Sequence, residues 1–204
     1  RNYTSTAPSV LDHLAAFADS PVMLSELMEL LKYNYDRIDF IDEPVDLGFA
    51  CPLDLYCTYT RDQLLVAMDY MTPGNVREGV KWLPEKQIDV LLVTLNKSDK
   101  DYSPTAMYND YSVNENLFHW QSQSTTADVS PTGQRYIHHR ERGSKVLIFV
   151  REFKTDPAGA APYTFLGIAN YVWHDGSRPM NIIWKLERSI PTKFLKKTNK
   201  LIAG

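Results

Sequence analysis

Four apolar runs constrain this chain more than any other feature: 88–96 (IDVLLVTLN), 145–154 (KVLIFVREFK), 163–174 (YTFLGIANYVWH) and 181–190 (NIIWKLERSI). Each is of strand length and rich in β-branched and aromatic residues. Turn chemistry bounds them: a polar turn at 97–101, a Pro/Gly/Ala loop at 155–162 and the Asp175-Gly176 pair. Such side chains suit a pleated, half-buried surface, and short strands punctuated in this way indicate an antiparallel barrel or sandwich. A fifth strand is expected at 117–125 (LFHWQSQST), where period two sends Phe118, Trp120, Ser122 and Ser124 one way and His119, Gln121, Gln123 and Thr125 the other. Rings followed by hydroxyls and amides suit a pocket that stacks a flat ring and hydrogen-bonds its edge, or equally a strand with one buried face whose polar residues are merely solvated. Ser130 can then cap, and Pro131 open, a short helix carrying Arg135, His138, His139, Arg140 and Arg142.

Upstream the pattern is helical. Residues 9–17 (SVLDHLAAF) and 20–33 (SPVMLSELMELLKY) read as helices, the second with Leu24, Leu27, Met28 and Leu31 in one stripe. Thr60 to Gln63 forms a capping box before LLVAM. Residues 71–86 look like a loop, with Thr72-Pro73-Gly74-Asn75, Gly79 and Pro84. The boundary is placed there. The expected fold is α+β: a small acidic helical part, 1–85, followed by an antiparallel β-barrel, 86–204.

Charge divides along the same line. Residues 1–85 hold six Lys/Arg against fourteen Asp/Glu, whereas 134–204 hold thirteen against five. A basic second part suits contact with phosphate, the lesser alternative being that the two parts simply attract one another. The acidic residues from Asp36 to Asp54 lack the Gly and terminal Glu of a calcium loop. Cys51 and Cys57, with five residues between them, fit neither a zinc knuckle nor an expected disulfide. No apolar run is long enough for a membrane span. The chain opens on Arg1 with no secretory segment, which reads as a piece of a larger cytoplasmic protein.

Chemistry is sparse. Glu152 and Lys154 at a strand end form the E-x-K pair with which some nucleases hold magnesium, but no upstream acidic partner stands in a fitting context. The histidines lack ligand spacing for a metal, and neither a phosphate loop nor a nucleophile elbow occurs. No catalytic residue, metal or cofactor is therefore expected of this chain.

The blocks LLVTLNKSDKDYSPTAMYNDY, LFHWQSQSTT, SPTGQRYIHH, FVREFK, YTFLGIANYV and RPMNIIWKL resemble a C-terminal domain of certain bacterial superfamily 2 helicases. The family's architecture is a phospholipase-D-type nuclease, a helicase motor and then this domain. Its best understood members are ATP-dependent type IV restriction enzymes that cut DNA containing 5-methylcytosine. The resemblance implies a non-catalytic domain that recognises the modified base in duplex DNA, an SRA/PUA-like barrel and partnership with the nuclease and helicase of the parent chain. Base flipping would expose the base to aromatic stacking and edge hydrogen bonds. On that reading the rings are Tyr102, Tyr108, Trp120 and Tyr171, and the polar edge is drawn from Asn96, Asp110, Gln121, Gln123 and Asn170. Trp120 and Gln121 share a pocket only if the strand is bulged. Arg135, Arg140, Arg142, Lys145 and Arg178 would meet phosphates. Two alternatives stand beside it: a module that docks on the helicase motor, and a metal-dependent nuclease built on Glu152 and Lys154.

Overall fold

One strand organises the rest. Tyr163–Asp175 runs for 13 residues and pairs with different neighbours along its two halves. The structure is a computed structural model and describes residues 20–35, 44–76, 79–96, 110–157, 159–192 and 195. Two compact units divide at residue 43, Arg1–Glu43 and Pro44–Gly204. In the first, α1 (Pro21–Tyr35) contains no buried residue. The helix expected at 9–17 lies outside the described residues, as do Asp36, Asp39, Asp42 and Glu43.

The second unit contains, in order, β1 (Thr58–Tyr59), α2 (Arg61–Val66), a 3-10 turn (Pro73–Asn75), β2 (Val80–Leu83), β3 (Ile88–Thr94), β4 (Tyr111–Ser112) and β5 (Leu117–Gln121). Next come α3 (Pro131–Ile137), β6 (Lys145–Arg151), the small hairpin β7 (Thr155–Asp156) and β8 (Gly159–Ala160), β9 (Tyr163–Asp175) and β10 (Asn181–Leu186). Eight strands form one sheet in the order β2-β3-β6-β9-β10-β5-β4, with β1 paired to the start of β9. All pairings in it are antiparallel except β3 with β6. The parallel pair arises because β4, β5 and α3 intervene between those two strands in the sequence.

Local signals end these elements as the residues dictate. Thr60 and Gln63 form both halves of the capping box of α2. Ser130 accepts from the Gly133 amide to cap α3, with Pro131 in the first turn. That helix stops at Ile137, so His138, His139, Arg140 and Arg142 lie in the turn after it rather than on it. β2 falls inside the segment expected as a loop; its Val80–Leu83 backbone pairs with β3 despite the flanking Gly79 and Pro84. Neither Cys51 nor Cys57 forms a disulfide.

The sheet has a core on each face. Ile88, Val90, Leu92, Leu147, Phe149 and Phe165 meet Leu47, Leu53, Leu55, Leu64, Leu65 and Met68 on one side. Residues 44–85, which the sequence groups with the helical part, thus share a hydrophobic core with the sheet. Leu91, Val93, Val146, Ile148 and Leu166 face the other way. They are joined there by Phe118, Trp120, Ile182 and Trp184 from β5 and β10, and by Tyr136 from α3. Strands from both ends of the hydrogen-bonded path thus bury side chains in one cluster, so the sheet curls around it. The path remains open among the described residues: β2 and β4 are its ends, and no closed barrel forms.

Candidate nucleic-acid interface

The curl is aided by two register shifts in β9. Opposite β6, Gly167 pairs with Ile148 and Phe165 with Phe149, leaving Leu166 as the extra residue. Opposite β10, Tyr171 pairs with Trp184 and Trp173 with Ile183, leaving Val172 unmatched. A bulge of this kind turns the strand and reverses the facing of the residues beyond it. Tyr171 and Trp173, two residues apart, therefore face opposite sides. Tyr171 lies on the side of the buried Trp184, its ring 6.3 Å away, whereas Trp173 is 53% exposed on the outer face.

That outer face carries two cross-strand rows. The register aligns Tyr111, His119, Ile183 and Trp173 across β4, β5, β10 and β9. Tyr111 and His119 stack with ring centroids 4.8 Å apart and planes 15° apart. One rung away, about 7 Å along the strands, lie Gln121, Asn181 and Asp175. Gln121 donates through Nε2 to Asn181 Oδ1 at 2.8 Å, and its backbone N–H donates to Asp110 Oδ1 at 2.9 Å. Asp110 is itself buried. Two basic residues bracket these rows along β10: Arg178, exposed in the preceding turn, and Lys185, exposed one rung beyond Ile183. Among the described residues neither forms an ion pair.

The opposite side of β9 is built differently. Trp120 is 4% exposed and packs edge-on against Tyr136 at 5.5 Å and tilted against Trp184 at 6.4 Å. Trp120 and Gln121 thus obey the alternation of a regular strand and part company. A hollow of about 560 Å³ opens between the end of α3 and β9, lined by Ile137, His138, Arg140, Glu141 and Tyr171. The Tyr171 hydroxyl meets His174 Nδ1 at 2.7 Å, and burial pushes that hydroxyl's pKa up, favouring its role as donor.

His139, at the end of α3, is a fastener. The Tyr171 N–H donates to its Nε2 at 3.0 Å, so Nε2 carries no proton. Its Nδ1–H therefore donates to the Ser144 carbonyl at 3.2 Å. Burial lowers its pKa, assisted by Arg140 and opposed by the Ser144 carbonyl. Because the folded value is depressed, the stabilisation is complete above the unfolded value near 6.5 and is lost as pH falls below it. Thermal melts from pH 8 to pH 5 should show wild type losing stability over that window more steeply than His139→Gln. Parallel slopes would mean that His139 does not contribute.

The remaining candidates are dispersed. Tyr102 and Tyr108 lie outside the described residues. Asn96 is exposed at the end of β3, its N–H donating to Glu152 O. Gln123 is half-buried just past β5, and Asn170 Nδ2 contacts Glu187 Oε1 at 3.4 Å. Arg135 turns inward to Asp89 on β3, and Lys145 donates to Leu47 O. Arg140, Arg142 and Arg178 are exposed. Glu152 and Lys154 lie in a bend after β6, and among the described residues no three His, Cys, Asp or Glu side chains group as metal ligands. Likewise no described helix is long and apolar enough to cross a membrane.

Thus the structure brings Gln121 and Asp110 together, places Tyr171 and Arg140 in one hollow, and adds Tyr111, His119, Ile183, Trp173, Asn181 and Asp175. Period two could have flagged His119 with Gln121. Nothing in sequence spacing could have placed Trp173, because the bulge at Val172 is a property of the β9–β10 pairing. No curated protein matches the chain. Residues 53–197 match the model of a family described as a domain of unknown function, DUF3427, and the chain belongs to that family.

Proposed function

We propose that this chain is a non-catalytic DNA-recognition domain that reads 5-methylcytosine in duplex DNA, with the base turned out of the stack. It would serve an ATP-dependent type IV restriction enzyme whose helicase and nuclease form other parts of the same protein. The resemblance of the sequence blocks to that family supports the biological setting, and the curled, mostly antiparallel sheet, though open between β2 and β4, is compatible with an SRA/PUA-like fold. The observation that carries the reading is the outer-face pairing of an aromatic row with a polar row. Rings accept the face of an unstacked base, and amides and carboxylates meet its edge. Arg140, Arg142 and Arg178 are exposed for phosphates, which would add a salt-dependent term common to all sequences.

The test is fluorescence anisotropy at one fixed, low salt concentration, with two duplexes identical except for 5-methylcytosine. The methylated duplex is expected to bind about tenfold more tightly. Trp173→Ala should weaken that binding by about tenfold, the order of one base–aromatic stack, while its melting temperature stays near wild type. An unaffected Trp173→Ala removes the reading from this face.

A second reading, a module that docks on the motor, is favoured by α1, where Val22, Met28 and Leu31 are all more than half exposed. Failure of wild type to bind either duplex, together with capture of the isolated motor, would select it.

A further inference from the structure

Asp175 and Asn181 did not stand out in the sequence, yet they complete the polar row beside the aromatic one. The Gln121–Asn181 hydrogen bond uses one amide hydrogen-bonding group from each residue. What the couple then presents is Gln121 Oε1 as an acceptor and Asn181 Nδ2 as a donor. Exchanging N and O in both amides reverses the direction of the bond but still leaves one donor and one acceptor side by side. Asp175, directly across the ladder from Asn181 and exposed, adds an acceptor that offers no proton. Gly176, at φ +71°, comes next in the turn; a Cβ there would lie 3.6 Å from Asn181 Nδ2.

Resting on the DNA-recognition reading above, we infer that Gln121, Asn181 and Asp175 are the specificity-determining edge of this face and select a cytosine-type base. A base lying over His119, Ile183 and Trp173 has its edge one rung away, at hydrogen-bonding reach of the polar row. Its exocyclic amine donates to Asp175 or Gln121, and its ring N3 accepts from Asn181. Thymine, with a carbonyl in place of the amine, meets the Asp175 carboxylate acceptor to acceptor and is disfavoured. Arg178 and Lys185 lie at opposite ends of the row along β10, where the phosphates flanking such a base would pass.

The experiment uses the full chain and three probes at constant salt: a duplex with one 5-methylcytosine, the same duplex with thymine at that position, and one with an abasic site there. Wild type should prefer the cytosine probe over the thymine probe by at least about tenfold, the range of one good edge contact. In Asn181→Leu and Asp175→Asn that preference should collapse toward unity, while binding to the abasic probe, carried by phosphate contacts, stays at its wild-type value. Melting temperatures identify a misfolded variant, and Asp175→Asn, at an exposed position, keeps the test alive if Asn181→Leu fails to fold. Wild-type discrimination in both folded variants overturns this inference and leaves DNA recognition standing. Absence of DNA binding by wild type itself overturns both.

Discussion

Arg135→Met is expected to destabilise the protein by about 3–5 kcal/mol, the usual effect of removing one partner of a buried ion pair. Arg135 reaches from α3 to Asp89 on β3 in a two-pronged contact, Nε to Oδ2 at 2.7 Å and a terminal nitrogen to Oδ1 at 2.9 Å. Asp89 is completely buried, and the guanidinium lies over the Trp82 ring at 4.3 Å. Burial pushes the Asp89 carboxyl up, and Arg135 pulls it back. Without Arg135 only the upward push remains, so the folded variant favours the protonated acid. Its deficit should therefore be smallest below the ordinary carboxylate value near 4 and grow as pH rises. Urea melts at pH 4 and pH 7 measure this. Arg135→Lys is not a rescue, since an ammonium cannot make the two-pronged contact. The double variant Asp89→Leu/Arg135→Met should recover most of the loss, because it leaves no buried charge. A single variant as stable as wild type at pH 7 would mean that the pair is not formed. The same contact explains why a residue attractive as a phosphate ligand in the sequence instead fastens the helix to the sheet.

Trp184→Ala is expected to cost a similar amount, about 3–5 kcal/mol. Trp184 is fully buried on β10 and touches the rings of Trp120, Tyr136, His139 and Tyr171. Truncation would open a cavity in the cluster around which the sheet curls. Trp184→Phe should be much milder. Among the described residues the indole Nε1 is buried without a hydrogen-bond partner, and removing such a donor relieves about 1–3 kcal/mol of desolvation cost that partly offsets the lost ring. Chemical denaturation of the three proteins gives the comparison. If Trp184→Phe were as damaging as Trp184→Ala, shape complementarity would govern the site.

Both predictions concern residues whose roles the pattern alone leaves open. Local rules carry far where a neighbour along the chain makes the interaction. The Thr60 and Ser130 caps form where expected. The strands at 88, 145, 163 and 181 begin at the expected residues, because β-branched runs and turn residues act over a few positions. Period two also separated Trp120 from Gln121 correctly.

Other features depend on pairing between distant segments. The strand character of β2 comes from the ladder to β3 rather than from its own flanks, which carry turn residues. The facing of Trp173 rests on one unmatched residue, Val172, at the β10 pairing. The α+β class, the starts of those four strands and the alternation of β5 were legible in the residues, since each is governed by contacts within a few positions. Which charges are used internally and which rings reach the open face follows from long-range packing alone. A buried ion pair and a bulge are settled by what arrives from tens of residues away, and no local period encodes that.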